Sequence, residues 1–459
     1  MALALPPEPP SLAPPRCAGR RERHYNDSSV MLLKGASLAA FDPPLVERAD
    51  LRVAGGRIVE RGTGLAAADG EEVLDLDGHV VIPGLVNAHT HLYSALARGM
   101  PSPPAPPRSF VEVLERVWWR LDRALDAESV RVSALVGGVE AALAGTTLLL
   151  DHHSSPSWIR GSLLAIREAL EEVGLRSVLC YEVSDRNGED GRRDGLAENV
   201  EFQAAHQSDL TRGMVGAHAS FTLSEDAMRG LEEAVQRTGS SLHIHVAEDR
   251  VDVEDCRARY DEGVPDRLHR HGLVVARTLF AHCVHLTPAE VESAHGRGAW
   301  IAHNARSNQN NGVGYAPAAS IRRGALGTDG IDEDMLAEAR AAFLRMRESG
   351  RGDAEGATLQ LLAGGHRLAS ALFGVPFGKL DAGGPADLVV LQYEPPTPLH
   401  TANLAAHLLF GMDRSHVRSV LVAGRWIVRD RGLVGLHAPA LFARAQAEAQ
   451  RLWRRLEHV

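Results

Sequence analysis

The strongest restriction on the fold comes from an apolar run that ends in two histidines, VIPGLVNAHTH at residues 81–91. Side chains two residues apart on a strand point to the same face, so His89 and His91 can offer two imidazoles to one metal ion at the carboxyl end of that strand. The chain has 22 histidines, and one such pair also arises by chance. The pair alone therefore leaves a metal site and a chance arrangement equally open.

Seven further apolar runs follow, rich in Val, Ile and Leu, and segments with helical periodicity separate most of them, as at 158–173, 225–236 and 288–295. The runs are Thr146–Leu150, Leu175–Val183, Met214–Ala219, Ser241–Ala247, Thr278–Val284, Ala299–Asn304 and Ala325–Gly330. Eight strands that alternate with helices over about 250 residues are typical of a (β/α)8 barrel, whose chemistry lies at the carboxyl ends of the strands. The predicted fold class is therefore α/β with a TIM-like barrel.

Side chains of the types that bind metals recur at the ends of these runs. They are His89 and His91 on the first strand, Asp151, His152 and His153 on the second, His218 on the fourth, His243, His245 and Glu248 on the fifth, His282 and His285 on the sixth, His303 on the seventh and Asp329 on the eighth. Chance does not place such residues at the same end of seven strands. The pattern therefore favours a metal site inside a barrel.

The two ends of the chain carry shorter β patterns with glycine turns, at 31–80 and 382–440. They predict one composite β-sandwich that flanks a barrel at 81–381, with an amphipathic helix at 441–459. Residues 1–30 are rich first in proline and then in arginine, and they lack the apolar core of a signal peptide. We expect them to be a disordered N-terminal extension.

Composition excludes several classes of partner. A net charge of -10 and a pI near 6.1 argue against nucleic acid or an anionic membrane surface, and no apolar run reaches the roughly 18 residues of a membrane span. The four cysteines have no paired spacing, which predicts reduced thiols and a cytoplasmic enzyme. The expected partner is a small molecule.

The connection between the first two strands, 93–145, is unusually long and carries three aromatic side chains, Phe110, Trp118 and Trp119. Long loops at this face of a barrel often cover an active site, which favours a lid or a dimer contact. Packing of the loop by its own tryptophans is an equally good interpretation.

Five stretches identify a resemblance to the amidohydrolase superfamily, in its branch of aminohydrolases and chlorohydrolases. They are PGLVNAHTH at 83–91, HIHVAED at 243–249, AHCVHL at 281–286, IAHNARSN at 301–308 and LGTDG at 326–330. The resemblance implies that His89, His91, His245 and Asp329 are the metal ligands, with His282 near the metal and Glu248 three residues after His245. It also implies a homodimer.

Many binuclear members of that superfamily bridge two metals with a modified lysine on a barrel strand. This chain contains only Lys34 and Lys379, and neither lies in a predicted barrel strand. We therefore expect one divalent metal ion per chain. Zinc is the expected ion, and iron(II) is the alternative that the ligand set does not separate.

The resemblance implies a metal-dependent hydrolytic deaminase acting on a nitrogen heterocycle, such as a purine-related or pyrimidine-like amine. Metal-bound hydroxide would attack the ring, with Asp329 accepting the proton of the water, Glu248 protonating a ring nitrogen and His282 polarising the oxyanion, so that ammonia leaves. Glu248 favours deamination, since a leaving halide needs less help from a proton. The alternatives are a chlorohydrolase or cyclic-amide hydrolase on the same site, or a binding protein whose site is inactive.

Further motifs resemble the SsnA group of aminohydrolases: WWRLDR at 118–123, DHHSSP at 151–156, SDRNG at 184–188 and NNGVGYAP at 310–317. The resemblance leaves the substrate open. Four residues are candidates for binding it: His218, His152, Arg186 and Asn304. Arg306 departs from the family pattern, which usually has proline at that position.

Overall fold

The structure is a computed structural model, and it describes residues 30–350 and 352–459. The predicted disordered extension at 1–30 therefore lies outside the described residues, except for Val30. In the part of the chain that the structure describes, no helix combines the length and the apolar character that crossing a bilayer requires.

The described strands fall into three groups along the chain. The first group is β1 (Met31–Phe41), β2 (Pro44–Ala54), β3 (Arg57–Gly62), β4 (Glu72–Asp75) and β5 (Val80–Pro83). The second is β6 (Leu85–Thr90), β7 (Thr146–His153), β8 (Arg176–Val183), β9 (Thr211–Gly213), β10 (Val215–Ala219), β11 (Leu242–Val246), β12 (Leu279–His282), β13 (Trp300–His303) and β14 (Gly324–Leu326). The third is β15 (Leu388–Leu391), β16 (Val417–Val422), β17 (Arg425–Arg429) and β18 (Gly432–Leu433).

The second group forms the barrel. Its strands pair in parallel in the order β6-β7-β8-β10-β11-β12-β13-β14, with β9 added at β8. A parallel bridge between Thr90 and Asp329 joins the last strand to the first, and the Asp329 N–H donates to the carbonyl of His89 at 2.9 Å. This closure brings the carboxyl ends of the first and eighth strands together, where the chemistry of such barrels lies.

The first and third groups together form one nine-stranded sheet, in which β15 pairs with β5 and joins the two ends of the chain. The predicted architecture, a (β/α)8 barrel with a β unit built from both chain ends, is confirmed, and the strands predicted as a composite β-sandwich form one hydrogen-bonded sheet. The boundaries that divide it into domains remain predictions.

The apolar run at 81–91 is two strands rather than one. Its first part is β5 in the terminal sheet and its second part is β6 in the barrel, and they meet at Gly84. A Cβ atom at Gly84 would lie 2.2 Å from the Thr147 hydroxyl oxygen, so only glycine fits this crossing. Its carbonyl accepts a hydrogen bond from His366 at 2.8 Å.

Helices cover the barrel and fill its connections. They are α1 (Phe110–Val113), α2 (Trp119–Ala124), α3 (Ala127–Leu143), α4 (Ser162–Val173), α5 (Gly188–Ala205), α6 (Glu225–Thr238), α7 (Arg250–Tyr260), α8 (Val264–Arg270), α9 (Pro288–Gly296), α10 (Ala305–Asn310), α11 (Met335–Glu348), α12 (Ala354–Phe373), α13 (Leu404–Ala406) and α14 (Ala438–Arg455). Local sequence explains several starts. Helix α9 begins with a capping box in which Thr287 and Glu290 each bind the backbone N–H of the other, with Pro288 as its first residue.

The long connection after β6 is held down at its far side by the C-terminal helix. Helix α14 packs against α3, and the Trp453 indole N–H donates to the carbonyl of Leu96 at 2.9 Å. The predicted amphipathic helix at the chain end thus packs against both ends of the long connection.

Candidate metal centre and active site

Four side chains from three strand ends converge at the mouth of the barrel. His89 and His91 come from β6 and its end, His245 from β11 and Asp329 from the turn after β14, and one ligand atom of each lies within 4.8 Å of those of the others. The His91 Nε2 atom is 3.2 Å from His245 Nε2 and 3.0 Å from Asp329 Oδ1. The His89 Nε2 atom is 3.5 Å from the same carboxylate oxygen.

The hydrogen bonds of these imidazoles fix which nitrogen is free. His91 Nδ1–H donates to the carbonyl of His152 at 2.6 Å, and His245 Nδ1–H donates to the carbonyl of His218 at 2.8 Å. A carbonyl only accepts, so each Nδ1 carries a proton and each Nε2 is the nitrogen that can face a metal ion. When both rings are neutral, two lone pairs that face each other at 3.2 Å repel unless a cation or a proton lies beside them.

The third imidazole has the same arrangement. The His89 Nε2 atom is buried and has no hydrogen-bond partner, while its Nδ1 lies 2.9 Å from Nε2 of His243. Three imidazole nitrogens and one carboxylate match the ligand set of a mononuclear zinc-type site, in which one position stays open for water. The residues present therefore fit a divalent metal ion.

The negative charge of Asp329 favours a positive charge at this point, whereas burial disfavours one on the histidines and lowers the pKa of His89 and His245. Burial lowers the pKa of His89 to about 3. Burial also acts to lower the pKa of His91, but the bond and charge of Asp329 outweigh it and raise that pKa to about 9. For Asp329, burial is outweighed by His89 and His91, which hold its pKa well below the ordinary value.

A second group of side chains adjoins the first. His282 Nε2 lies 3.6 Å from Glu248 Oε2 and 3.9 Å from Asp329 Oδ2, and His282 Nδ1 is 2.8 Å from the amide oxygen of Asn308. Burial is the main cause that raises the pKa of Glu248 to about 7. A carboxyl group with such a pKa holds a proton for part of the time at neutral pH and can donate it.

Positive backbone φ angles occur where these side chains are presented. His282 has φ +72°, Asp329 has φ +56° and Ala247, next to Glu248, has φ +47°. Such angles are uncommon for residues with a Cβ and cost of order 1–3 kcal/mol each. The buried carboxylate of Asp252 holds the turn at Ala247 by accepting its N–H at 2.8 Å.

A cavity of about 190 Å³ opens above these groups. Its walls are aromatic on the side of the long first connection and polar elsewhere. The lining residues are His91, Tyr93, Ser94, Phe110, Leu114, Trp118, Trp119, Asp122, Glu182, His218, His245, Glu248, Ser307, Asn310, Asn311, Asp329, Gly330 and Ile331. The cavity can hold a small flat ring between apolar faces, with acidic and imidazole groups at its edge.

The four predicted substrate-binding residues lie at different depths. His218 lines the cavity, and its ring centroid is 5.9 Å from that of Trp119. His152 lies behind the lining and donates through Nε2–H to the carbonyls of Ala217 and His243. Asn304 is fully buried and its amide has no hydrogen-bond partner.

Arg186 also lies behind the lining. It pairs with Asp122 and, at 3.4 Å, with Glu182, and its guanidinium lies 5.2 Å from the Trp119 ring centroid. Arg306 is turned away from the cavity and pairs with Asp332 and Glu338. The substrate contacts of His218, His152, Arg186 and Asn304 remain predictions.

Sequence reasoning missed two carboxylates of the cavity wall. Glu182 lies at the carboxyl end of β8, and the rule that chemistry occupies strand ends would have found it. Asp122 lies on α2 in the long connection, and only its place in the WWRLDR motif singled it out. The aromatic residues Trp118 and Trp119 line the cavity as well, which agrees with a covering role for this loop.

Three comparisons with known proteins bear on this site. The sequence pattern described as the amidohydrolase family matches residues 80–427. The 5-methylthioadenosine/S-adenosylhomocysteine deaminase of Desulforudis audaxviator is 31% identical over 423 residues, which are 88% of this chain and 94% of that protein.

Two solved structures share the fold. An adenosine deaminase from Xanthomonas campestris with bound zinc has a TM-score of 0.81 at 24% identity and covers 94% of this chain and 99% of its own. The atrazine chlorohydrolase TrzN from Arthrobacter aurescens, complexed with zinc, has a TM-score of 0.78 at 20% identity, with 91% and 100% covered. The family match over most of the chain and the 31% identical relative establish that this chain belongs to the amidohydrolase family.

Proposed function

We propose that this protein is a hydrolase that removes an amino group from a nitrogen heterocycle with the help of one bound divalent metal ion. The observation that carries the proposal is the convergence of three imidazole Nε2 atoms and the Asp329 carboxylate under a cavity whose wall contains Glu248. The relatives named as deaminases support the same reaction class.

Zinc is the metal we propose, with iron(II) as the alternative. His89, His91, His245 and Asp329 would hold the ion, which as a Lewis acid lowers the pKa of bound water toward neutrality. The zinc in two similar structures supports this choice.

The side chains of the cavity then divide the proton transfers. The Asp329 carboxylate would accept a proton from the attacking water and pass it to the amino group, which then leaves as ammonia; Ser307 donates a hydrogen bond to its Oδ2 atom. Glu248, with its pKa near 7, is placed to protonate the ring nitrogen beside the attacked carbon. His282 faces both carboxylates and is placed to stabilise the oxygen that gains negative charge.

The substrate is proposed to be a purine-related or pyrimidine-like amine. Curated relatives are named as deaminases of adenosine derivatives, and the motifs quoted above resemble the SsnA group. The cavity fits this class, because Trp118 and Trp119 offer aromatic faces to a flat ring. We also propose that the enzyme works as a homodimer in the cytoplasm.

A second candidate reaction uses the same site: loss of halide, or opening of a cyclic amide. Similarity to the atrazine chlorohydrolase structure supports this second reaction. Glu248 separates the two, because an amino group needs a proton before it can leave as ammonia, whereas halide leaves as an anion without one. The E248Q substitution should therefore reduce deamination much more than dehalogenation.

The test is ammonia release from a panel of aminopurines, aminopyrimidines, aminoimidazoles and pterins by protein of known metal content. D329N is the inactive comparison, and D332N is the matched control, because Asp332 lies close in sequence but pairs with Arg306. We expect release by the parent protein and D332N and a loss of at least about 100-fold in D329N. Metal-loaded protein that releases no ammonia from any amine would contradict the proposal.

A further inference from the structure

Glu182 is a carboxylate on the cavity wall that the proposed chemistry does not use. It lies at the end of β8, its residue is 5% exposed, and its side chain lines the cavity beside His218 and Trp119. One of its oxygens lies within 4.8 Å of ligand nitrogens of His91 and His245. A ring held at the metal centre therefore has an edge close to Glu182.

The hydrogen bonds of Glu182 leave much of its accepting capacity unused. Its Oε1 atom lies 3.4 Å from Arg186 Nη2, and its Oε2 atom lies 3.4 Å from His152 Nδ1. Both contacts are long, and a carboxylate has about four positions at which it can accept. A buried carboxylate that is short of donors is costly, and a donor in the cavity relieves that cost.

The neighbouring carboxylate, Asp122, also lacks hydrogen-bond donors. Asp122 is 1% exposed and lines the same wall, and its Oδ1 atom has no hydrogen-bond partner, while Oδ2 is held by Arg186 and Ser154. Burial acts to raise the pKa of Glu182, but the histidines and the guanidinium around it lower that pKa, so Glu182 is an anion at neutral pH. This wall offers acceptors and negative charge.

We propose that Glu182 determines substrate specificity by accepting a hydrogen bond from an N–H group of the heterocycle, so that the substrate class is uncharged rings with an N–H or amino edge opposite the metal. The inference rests on the proposed deamination. A ring nitrogen that is methylated has no proton for Glu182 and adds bulk against it. A carboxylate on the ring would meet Glu182 and Asp122 as like charges.

The experiment crosses a change in the enzyme with a change in the substrate. The probes are guanine, adenine and cytosine, each beside its singly N-methylated derivatives, and kcat/KM is measured with the parent protein and E182Q. The matched control is E198Q, which replaces another buried glutamate that caps the start of α4 through the N–H groups of Gly161 and Leu163. Zinc content is measured for every variant.

We expect one methylation position to lower kcat/KM of the parent and of E198Q by about 10- to 100-fold, the range for a hydrogen bond to a charged group. In E182Q the penalty for the same methyl group should fall by at least about 3-fold, because the amide oxygen of glutamine still accepts a hydrogen bond but carries no charge, while zinc content stays at the parent level. Equal methyl penalties in the parent and E182Q would overturn the inference, as would loss of zinc from E182Q.

The parent protein alone provides a second test of the contact with Glu182. If E182Q does not fold, the methyl series on the parent protein decides, because a series in which no position costs more than about 3-fold contradicts a specific N–H contact. If no amine is turned over at all, the proposed function fails separately. The parent protein and E182Q are then compared in their affinity for each heterocycle and its methylated derivatives, measured by quenching of the fluorescence of Trp118 and Trp119. A methyl group that weakens binding equally in both proteins refutes the role of Glu182.

Discussion

Glu333 follows the eighth barrel strand and binds two side chains of the first, and its protonation should govern stability. Its carboxyl group accepts hydrogen bonds from the Asn87 amide at 2.6 Å and from the Thr90 hydroxyl at 2.8 Å. Burial is the main cause that raises its pKa to about 8, and the charge of Asp151 adds to the rise. We predict that E333Q becomes progressively more stable than the parent protein as the pH rises from about 5 to 8.

The sign follows from the two pKa values. In the unfolded chain the pKa of Glu333 is near 4.5, so between pH 4.5 and 8 the folded protein binds the extra proton. Stability of the parent therefore falls as the pH rises through this window, by about 1.4 kcal/mol per pH unit and by about 5 kcal/mol in total. Glutamine does not titrate. The glutamine of E333Q has one accepting oxygen fewer than glutamate, which changes the free energy of unfolding by an amount that does not depend on pH.

The assay is urea unfolding of the parent and E333Q at each pH from 5 to 9. The difference in free energy of unfolding should rise by about 1.4 kcal/mol per pH unit up to pH 8 and stay level above it. E348Q is the control, because Glu348 has a side chain that is 69% exposed, and it should show no comparable slope. A difference that does not change with pH would refute the assignment of a neutral Glu333.

Three further predictions concern the metal centre. H243L should weaken zinc binding about 10- to 100-fold, because the Nε2 atom of His243 lies 2.9 Å from Nδ1 of His89 and holds that ligand in place, and H243Q should recover part of the loss. Competition with a chelator measures the zinc affinity. H303L is the control, because His303 is buried and its ring nitrogens have no hydrogen-bond partner among the described residues. E248Q should lower kcat for ammonia release by about 100- to 10,000-fold with the zinc content unchanged, and an unchanged kcat would remove Glu248 from the mechanism. Chelation should lower the thermal midpoint, because a metal ion that binds the folded protein and not the unfolded chain stabilises the fold, and a midpoint that rises would contradict the ligand set.

Much of the fold was predictable because buried parallel strands are continuous apolar runs with chemistry at their ends. All eight barrel strands lie within or beside the predicted runs. The split of the first run at Gly84 was not predictable from periodicity, since β5 and β6 are both fully buried and differ only in the sheet they join.

For the candidate site, the sequence predicted the residues at the strand ends. In the structure the side chains of His89, His91, His245 and Asp329 lie together. Glu182 was missed because Tyr181 and Val183 on either side make it part of an apolar run. Asp122 belongs to the WWRLDR motif, but it reaches the cavity only through the packing of the long connection, which is a tertiary effect that the motif does not report.

The dependence of ammonia release on added metal tests the central claim most directly. Metal-free protein is prepared with a chelator, zinc is returned in steps, and release from the best amine of the panel is measured at each step. One ion held by His89, His91, His245 and Asp329 predicts a rate that rises linearly to one equivalent per chain and then stays level. Full activity without metal, or a break at two equivalents, would contradict a mononuclear metal-dependent deaminase.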